Sequence, residues 1–160
     1  MSVPQGFPPP MAAPIPAPVR RRANLPAGVV AAVLAGCTAI ALVWFVFANV
    51  LIGGSFGDWS GMVWLNVVCG LIAAALLLVP AGFLLARHIW AAWTLFGLCL
   101  VSVVGIVAVP MPSGTSFGAH LDFVLGFHKS NGVPIGLAAI FAFLAAIAAI
   151  VSATVRSPRH

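Results

Sequence analysis

Four long apolar runs divide this chain, at residues 27–52, 62–86, 89–109 and 133–155. A helix of about 20 apolar residues can cross the ~30 Å hydrocarbon core of a bilayer, and each run reaches that length. The links between the first three runs are short, which favours antiparallel neighbours. The pattern therefore predicts an all-α integral membrane protein with four transmembrane helices in an antiparallel bundle.

Composition agrees with burial in lipid. Of the 160 residues, 62% are hydrophobic and only 6% are charged, whereas soluble domains are about 25% charged. We expect one four-helix domain over residues 27–155, with a tail at 1–26 and a short C-terminal tail at 156–160. A composition rich in Ala, Gly, Val, Pro and Arg, with a single lysine, suggests a GC-rich bacterial genome and hence a bacterial cytoplasmic membrane.

The basic residues predict the orientation. Six of the seven fall on one side of the predicted membrane, and Lys129 alone falls on the other, together with the two acids, Asp58 and Asp122. Cytoplasmic segments carry the excess of Lys and Arg, so both termini are predicted to be cytoplasmic. The six basic residues on the predicted cytoplasmic side are Arg20, Arg21, Arg22, Arg87, Arg156 and Arg159. The sequence pI is near 10.6, but the positive charges are few and are scattered around the membrane ends, which argues against a nucleic-acid partner.

The N-terminal tail differs from the rest of the chain, because residues 1–26 hold eight of the thirteen prolines. Proline fixes φ and removes an amide donor, so we expect an extended or disordered tail with polyproline II character. The simpler interpretation, which we favour, is a solvated tail that precedes the first span. The other is a docking ligand for the aromatic groove of a partner.

Small residues recur every four positions in the first run, at Gly28, Ala32 and Gly36. Small side chains let another helix approach closely, and the resulting contact drives helix association in lipid. These three residues form the predicted helix-packing site, and nearby Leu42 is expected to face lipid. The stripe fits packing within the bundle and docking of a partner equally well. The fourth run has the same spacing, at Ala138, Ala142 and Ala146.

The three cysteines, Cys37, Cys69 and Cys99, lie in three different apolar runs and form no CxxC pair. The absence of a CxxC pair argues against a quinone-linked thiol oxidase, which needs adjacent thiols, and packing is the expected role of these cysteines. Residues 34–37 also resemble the cleavage box of a bacterial lipoprotein. The chain stays apolar through residue 52, however, whereas the apolar part of a signal peptide is 7–15 residues long, so processing at Cys37 is disfavoured.

The connection at 110–132 collects the remaining polar groups, His120, Asp122, His128, Lys129 and Asn131. Two histidines and an aspartate invite a metal-site hypothesis. On one helix, however, His120 and Asp122 would point about 200° apart. We therefore expect no metal site, and the surrounding apolar residues favour an interfacial segment on the outer leaflet.

The spans contain no charged residue, which bears most directly on function. Proton-coupled carriers usually keep an ionisable group at membrane depth, and small multidrug exporters depend on a glutamate that this chain lacks. The sequence predicts no catalytic residue and no cofactor. It favours a non-enzymatic accessory or scaffold subunit that packs against a larger membrane protein or against itself. The alternative is a minimal transport or lipid-handling protein for a neutral solute, with a path lined by residues such as Thr38, Asn49 and Asn66.

Overall fold

The computed structural model describes residues 23–53, 59–108, 116–127 and 132–155, and within them every regular element is a helix. Four of the helices are long and apolar enough to cross a membrane, as the sequence predicts. The predicted disordered tail lies outside the described residues up to position 22. The helices are α1 (Leu25–Gly53), α2 (Gly61–Leu85), α3 (Ile89–Ala108), α4 (Phe117–Leu125) and α5 (Gly132–Thr154).

Side-chain caps fix where three of the helices begin. Asn24 caps α1, Ser60 caps α2 and Ser116 caps α4. In each case the side-chain oxygen accepts a hydrogen bond from the backbone N–H three residues later, at 3.3 to 3.4 Å. Such a bond satisfies one of the N–H groups that the first turn of a helix leaves unpaired. The cap at Asn24 starts α1 two residues before the predicted span.

The four long helices form a ring in the order α1, α2, α3, α5, since α1 packs against α2 and α5, and α3 packs against the same two. Two backbone hydrogen bonds give the relative directions. The N–H of Ala23 donates to the carbonyl of Arg87 at 3.3 Å, and that of Asn24 donates to the carbonyl of Ser152 at 2.9 Å. The start of α1 therefore lies beside the ends of α2 and α5, so these neighbours are antiparallel.

We call the end of the bundle that holds Ala23, Arg87 and Ser152 the basic end, and the opposite end, where α4 lies, the loop end. Arg87 lies in the turn between α2 and α3. In the sequence, Arg22 directly precedes Ala23, and Arg156 directly follows Val155, the last described residue after α5. Asp122 lies on α4. Among the described residues, the basic side chain of Arg87 and the acidic side chain of Asp122 thus lie at opposite ends of the bundle.

Alanines fill the interior of the bundle. On α1 the row Ala31, Ala35 and Ala39 is almost completely buried. Methyl side chains at the contact let helix backbones approach closely, and the resulting van der Waals contact stabilises helix association in lipid. The buried alanines on the other long helices are Ala74, Ala81, Ala91, Ala92, Ala138, Ala142, Ala145, Ala146 and Ala149.

Leu42 does not face lipid, so that prediction is wrong: its side chain is 5% exposed. Leu42 follows Ala39 by three residues and precedes Val46 by four, so it continues the buried row of α1. Gly70 of α2 crosses α1 here. A Cβ atom at Gly70 would lie 2.7 Å from Cγ2 of Val46 and 3.8 Å from the carbonyl oxygen of Leu42, so the crossing requires glycine.

The short helix α4 packs on the first turns of α5. Two glycines of α5 make room for it. A Cβ atom at Gly132 would lie 2.7 Å from the carbonyl oxygen of Phe123, and one at Gly136 would collide with the carbonyl oxygen of Val124. The backbone of α4 therefore touches α5 at positions where no side chain larger than hydrogen fits.

Candidate functional site

The three residues of the predicted helix-packing site have different surroundings. Gly28 is buried, and a Cβ atom there would lie 3.5 Å from Cγ of Leu84 and 3.5 Å from Oγ of Ser152. Ala32 is half-buried. A Cβ atom at Gly36 would meet nothing within 4 Å among the described residues. Gly28 thus belongs to the contact of α1 with α2 and α5, whereas Gly36 opens away from the bundle.

The outward surface around Gly36 is apolar. Val33, one helical turn before it, is 59% exposed, and Ile40, one turn after it, is 70% exposed. All three residues lie on one face of α1 because they are separated by three and four positions. We call the open space at Gly36, between these two exposed side chains, the Gly36 notch. Contact between this notch and another helix remains a prediction.

Polar side chains in the spans bond mainly within their own helices. The hydroxyls of Thr38, Thr94 and Ser102 donate to the carbonyl four residues earlier, at 2.8 to 3.0 Å. Thr38 is buried inside the bundle, whereas Thr94 is exposed on α3. The hydroxyl groups that could line a solute path therefore do not meet in one place.

Asn49 and Asn66 form the exception, because they bridge α1 and α2 near the loop end. Nδ2 of Asn66 lies 3.5 Å from Oδ1 of Asn49. Nδ2 of Asn49 in turn donates to the carbonyl of Phe45 at 2.8 Å. An interhelical bond of this kind contributes about 0.6 kcal/mol in a membrane protein. The pair aligns two helices and extends no further into the bundle among the described residues.

His120 uses its ring to close the end of α3. Its Nε2 atom lies 2.8 Å from the carbonyl oxygen of Ile106. The ring also stacks on Phe123 with centroids 6.4 Å apart. Asp122 is exposed and takes no part in this contact. His128, Lys129 and Asn131 lie outside the described residues, and within the described part of the chain no three His, Cys, Asp or Glu residues gather as a metal site would need.

Arg87 anchors the junction at the basic end. The N–H of Arg87 donates to the carbonyl of Leu84 at 2.9 Å, and that of His88 donates to the carbonyl of Phe83 at 3.3 Å. This pair of bonds is a Schellman motif, in which glycine usually occupies the position of Arg87. Arg87 has φ of 65°, in the left-handed region. Its Nε donates to the carbonyl of Ala23 at 3.5 Å, which closes a reciprocal contact with the start of α1.

Ser152 completes that junction from α5. Its carbonyl accepts the N–H of Asn24, while its Oγ is buried and has no hydrogen-bond partner among the described residues. Oγ lies against Gly28 of α1: a Cβ atom at Gly28 would be 3.5 Å from this oxygen, an ordinary van der Waals distance.

Aromatic rings mark both ends of the bundle. At the basic end Phe83, His88 and Trp90 form a cluster with ring centroids 5.0 to 6.2 Å apart. At the loop end Trp59 and Trp64 meet edge to face at 5.0 Å. Tryptophan is enriched where the hydrocarbon meets the headgroups. The two clusters are separated by the length of α2, as expected for the two surfaces of a membrane.

The cysteines do not approach one another. Cys99 is buried in the bundle, Cys37 is half-buried, and Cys69 is exposed. They belong to α3, α1 and α2, respectively. Cys99 therefore packs as a small apolar side chain.

Comparison with known proteins gives no relative from which a function could be transferred. No family model matches the chain, and no curated protein or solved structure is significantly similar to it. Its function is therefore inferred from its own residues and geometry.

Proposed function

We propose that the protein is a non-enzymatic accessory or scaffold subunit of the bacterial cytoplasmic membrane. In this proposal α1 associates through the Gly36 notch with a helix of a larger membrane protein or of a second copy. The open space at Gly36, between the exposed side chains of Val33 and Ile40, is the observation that carries it. Lipid tails are as apolar as the helices, so association depends on close backbone approach, which a glycine allows.

The hydrogen bonding of the spans favours this role over transport of a neutral solute. A path across the membrane needs polar groups that face a common channel. Thr38, Thr94 and Ser102 instead donate within their own helices, and Thr94 lies on the exposed side of α3. Within the described part of the chain, the pair Asn49 and Asn66 favours the transport alternative, but it occupies one level of the bundle.

A non-enzymatic role is supported by the use of the polar side chains at the helix ends. Asn24, Ser60 and Ser116 cap helices. His120 closes α3, and Arg87 ties α1 to the turn between α2 and α3. Each of these groups has a structural partner, and none of them belongs to a pair of nucleophile and base, the arrangement that covalent catalysis requires.

Purification of the tagged full-length chain in mild detergent tests the proposal. We expect either a membrane protein that co-purifies in a fixed ratio or a homo-oligomer of defined size. The association should depend on Gly36. A stable monomer that retains a neutral solute would contradict the proposal and support the transport alternative.

A further inference from the structure

We propose that α4 binds the surface of the leaflet at the loop end, through a stripe formed by Phe117, Leu121 and Leu125. Its partner is a lipid surface without net charge, into which these three side chains insert. The sequence favours an interfacial segment here, and the contacts of α4 define the face of the helix that enters the lipid. This inference does not depend on the association through the Gly36 notch.

The contacts of α4 give its depth in the membrane. Its backbone lies against Gly132 and Gly136, in the first turns of α5. Since α5 has 23 residues and is long and apolar enough to cross a membrane, these turns lie at the boundary of the hydrocarbon core. His120 of α4 also reaches the carbonyl of Ile106, in the last turn of α3. Because α4 contacts two spans at the same end, it lies where the hydrocarbon meets the headgroups.

The side chains of α4 fall into three sectors around the helix. Val124 is 1% exposed and faces the bundle, whereas Asp122 is exposed on the other side. Leu125 lies between them, about 100° from Val124 and about 60° from Asp122. Phe117 and Leu121 precede Leu125 by eight and four residues, so the three follow one flank of the helix. This apolar flank separates a side that faces protein from a side that carries a carboxylate, as expected for a helix that lies in the membrane surface.

The stripe is apolar surface that the described part of the bundle leaves partly uncovered. Phe117 is 49% exposed and Leu125 is 53% exposed, while Leu121 between them is half-buried. An amphipathic helix in the membrane surface buries its apolar side about 5–10 Å into the boundary between headgroups and acyl chains. Insertion of the stripe removes this apolar surface from water, which favours binding.

The charge of α4 indicates the kind of lipid. The helix contains neither lysine nor arginine, and its carboxylate, Asp122, is exposed. Interfacial helices that recognise anionic lipids carry basic residues on their polar face. A carboxylate at that place is repelled by anionic headgroups. The stripe therefore fits a zwitterionic surface, and apolar contact supplies the affinity.

Spin labels on the full-length protein test the depth of the stripe. The three native cysteines are replaced by alanine, the protein is reconstituted in phosphatidylcholine vesicles, and a nitroxide is attached at Leu125→Cys, Asp122→Cys or Ile72→Cys. Oxygen concentrates in hydrocarbon and a nickel chelate stays in water, so their collision rates with each label give its depth. Ile72 is 54% exposed in the middle of α2 and serves as the reference in hydrocarbon.

We expect the label at Leu125→Cys to collide with the nickel chelate several-fold less often than the label at Asp122→Cys, and to resemble the reference. Equal accessibility of the two labels on α4 would overturn the proposal. So would a label at Leu125→Cys that is shielded from both reagents, because a second copy of the protein would then cover the stripe.

The lipid composition tests the chemistry of the partner. Vesicles with equal amounts of phosphatidylglycerol and phosphatidylcholine should leave the label at Leu125→Cys at the same depth or a shallower one. A label that enters the leaflet only when phosphatidylglycerol is present would contradict an uncharged surface.

A polar substitution tests the stripe without a label. Leu125→Asn should speed hydrogen exchange of the α4 amides in phosphatidylcholine vesicles. The matched control is Ala119→Asn, which changes an exposed residue about 120° away around the helix and should have a smaller effect. Equal exchange in the two variants would show that Leu125 gains nothing from lipid, and the proposal would fail.

Discussion

His120 on α4 replaces a backbone donor that α3 lacks: its Nε2 atom lies 2.8 Å from the carbonyl oxygen of Ile106. In a continuous helix that carbonyl would accept the N–H of residue 110, which is a proline and has none. The carbonyl can only accept, so Nε2 carries the proton and donates it. A side chain from the loop end thereby satisfies a group that a helix end would otherwise leave unpaired.

Replacing His120 by alanine should release α4 from α3. The loss should be about 1 kcal/mol, the usual net contribution of a hydrogen bond, because the ring is half-buried. Hydrogen exchange of the amides in α4 is the measurement, and we expect faster exchange there with little change in α1. His120→Gln keeps an N–H donor and should restore part of the protection. Unchanged exchange in His120→Ala would show that the contact does not hold α4.

Enlarging Gly136 should push α4 off α5. Gly136→Ala places a methyl group against the carbonyl oxygen of Val124, and forced overpacking typically costs about 1–3 kcal/mol. Gly118→Ala is a matched control on α4, since a Cβ atom there meets nothing within 4 Å. It should be neutral or slightly stabilising, because alanine favours a helix over glycine. Equilibrium unfolding in mixed detergent micelles compares them, and equal stabilities would contradict the close contact.

The spans could be predicted from sequence because their length and apolar character are dictated by the bilayer. The inward faces could not, and Leu42 shows why. In water a helix hides its apolar stripe, but in lipid the outward face is as apolar as the inward one. Leu42, which is buried, and Ile40, which is 70% exposed, are therefore indistinguishable by hydrophobicity.

Some of the missed contacts did have a sequence signal. Gly132 and Gly136 are four residues apart at the start of α5, the spacing of a close helix contact, and α4 fits against both. The junction at Arg87 had none, because Ala23 and Arg87 are 64 residues apart and both of their contacts use the backbone N–H or carbonyl of Ala23. The capping role of His120 could be predicted only from the proline at position 110 together with the position of α4 beside the end of α3, which the sequence does not show.

The orientation predicted from charge can be tested by cysteine labelling. Cys37, Cys69 and Cys99 are first replaced by alanine, which suits Cys99 because it is buried among apolar side chains. A new cysteine at Ser55 should react with an impermeant reagent in intact cells, while one at Ser2 or Ser157 should not. This outcome follows from cytoplasmic termini. The reverse labelling pattern would contradict that orientation.

Shortening the N-terminal tail should have a sharp boundary. Deletion of residues 2–18 removes no described contact, so insertion and stability should not change. Deletion of residues 2–24 also removes Ala23, which is hydrogen-bonded to Arg87, and Asn24, which caps α1. Loss of the cap alone costs about 0.5–2 kcal/mol. Thermal unfolding of both proteins in detergent is the measurement, and equal stability would mean that the junction does not hold the start of α1.

The central claim is that Gly36 is the point at which a partner approaches, and a comparison of three Gly→Leu variants tests it most directly. Gly28→Leu should destabilise the bundle itself, since Leu84 and Ser152 lie against that position. Gly36→Leu and the control Gly105→Leu should both fold, because a Cβ atom at either position meets nothing within 4 Å.

Association in the native membrane is then measured by crosslinking of the three variants, with unfolding in detergent as the test of folding. We predict that Gly36→Leu remains folded and inserted but loses its crosslinked partner or dimer, whereas Gly105→Leu keeps it. Association that persists in Gly36→Leu at the level of Gly105→Leu would contradict the account.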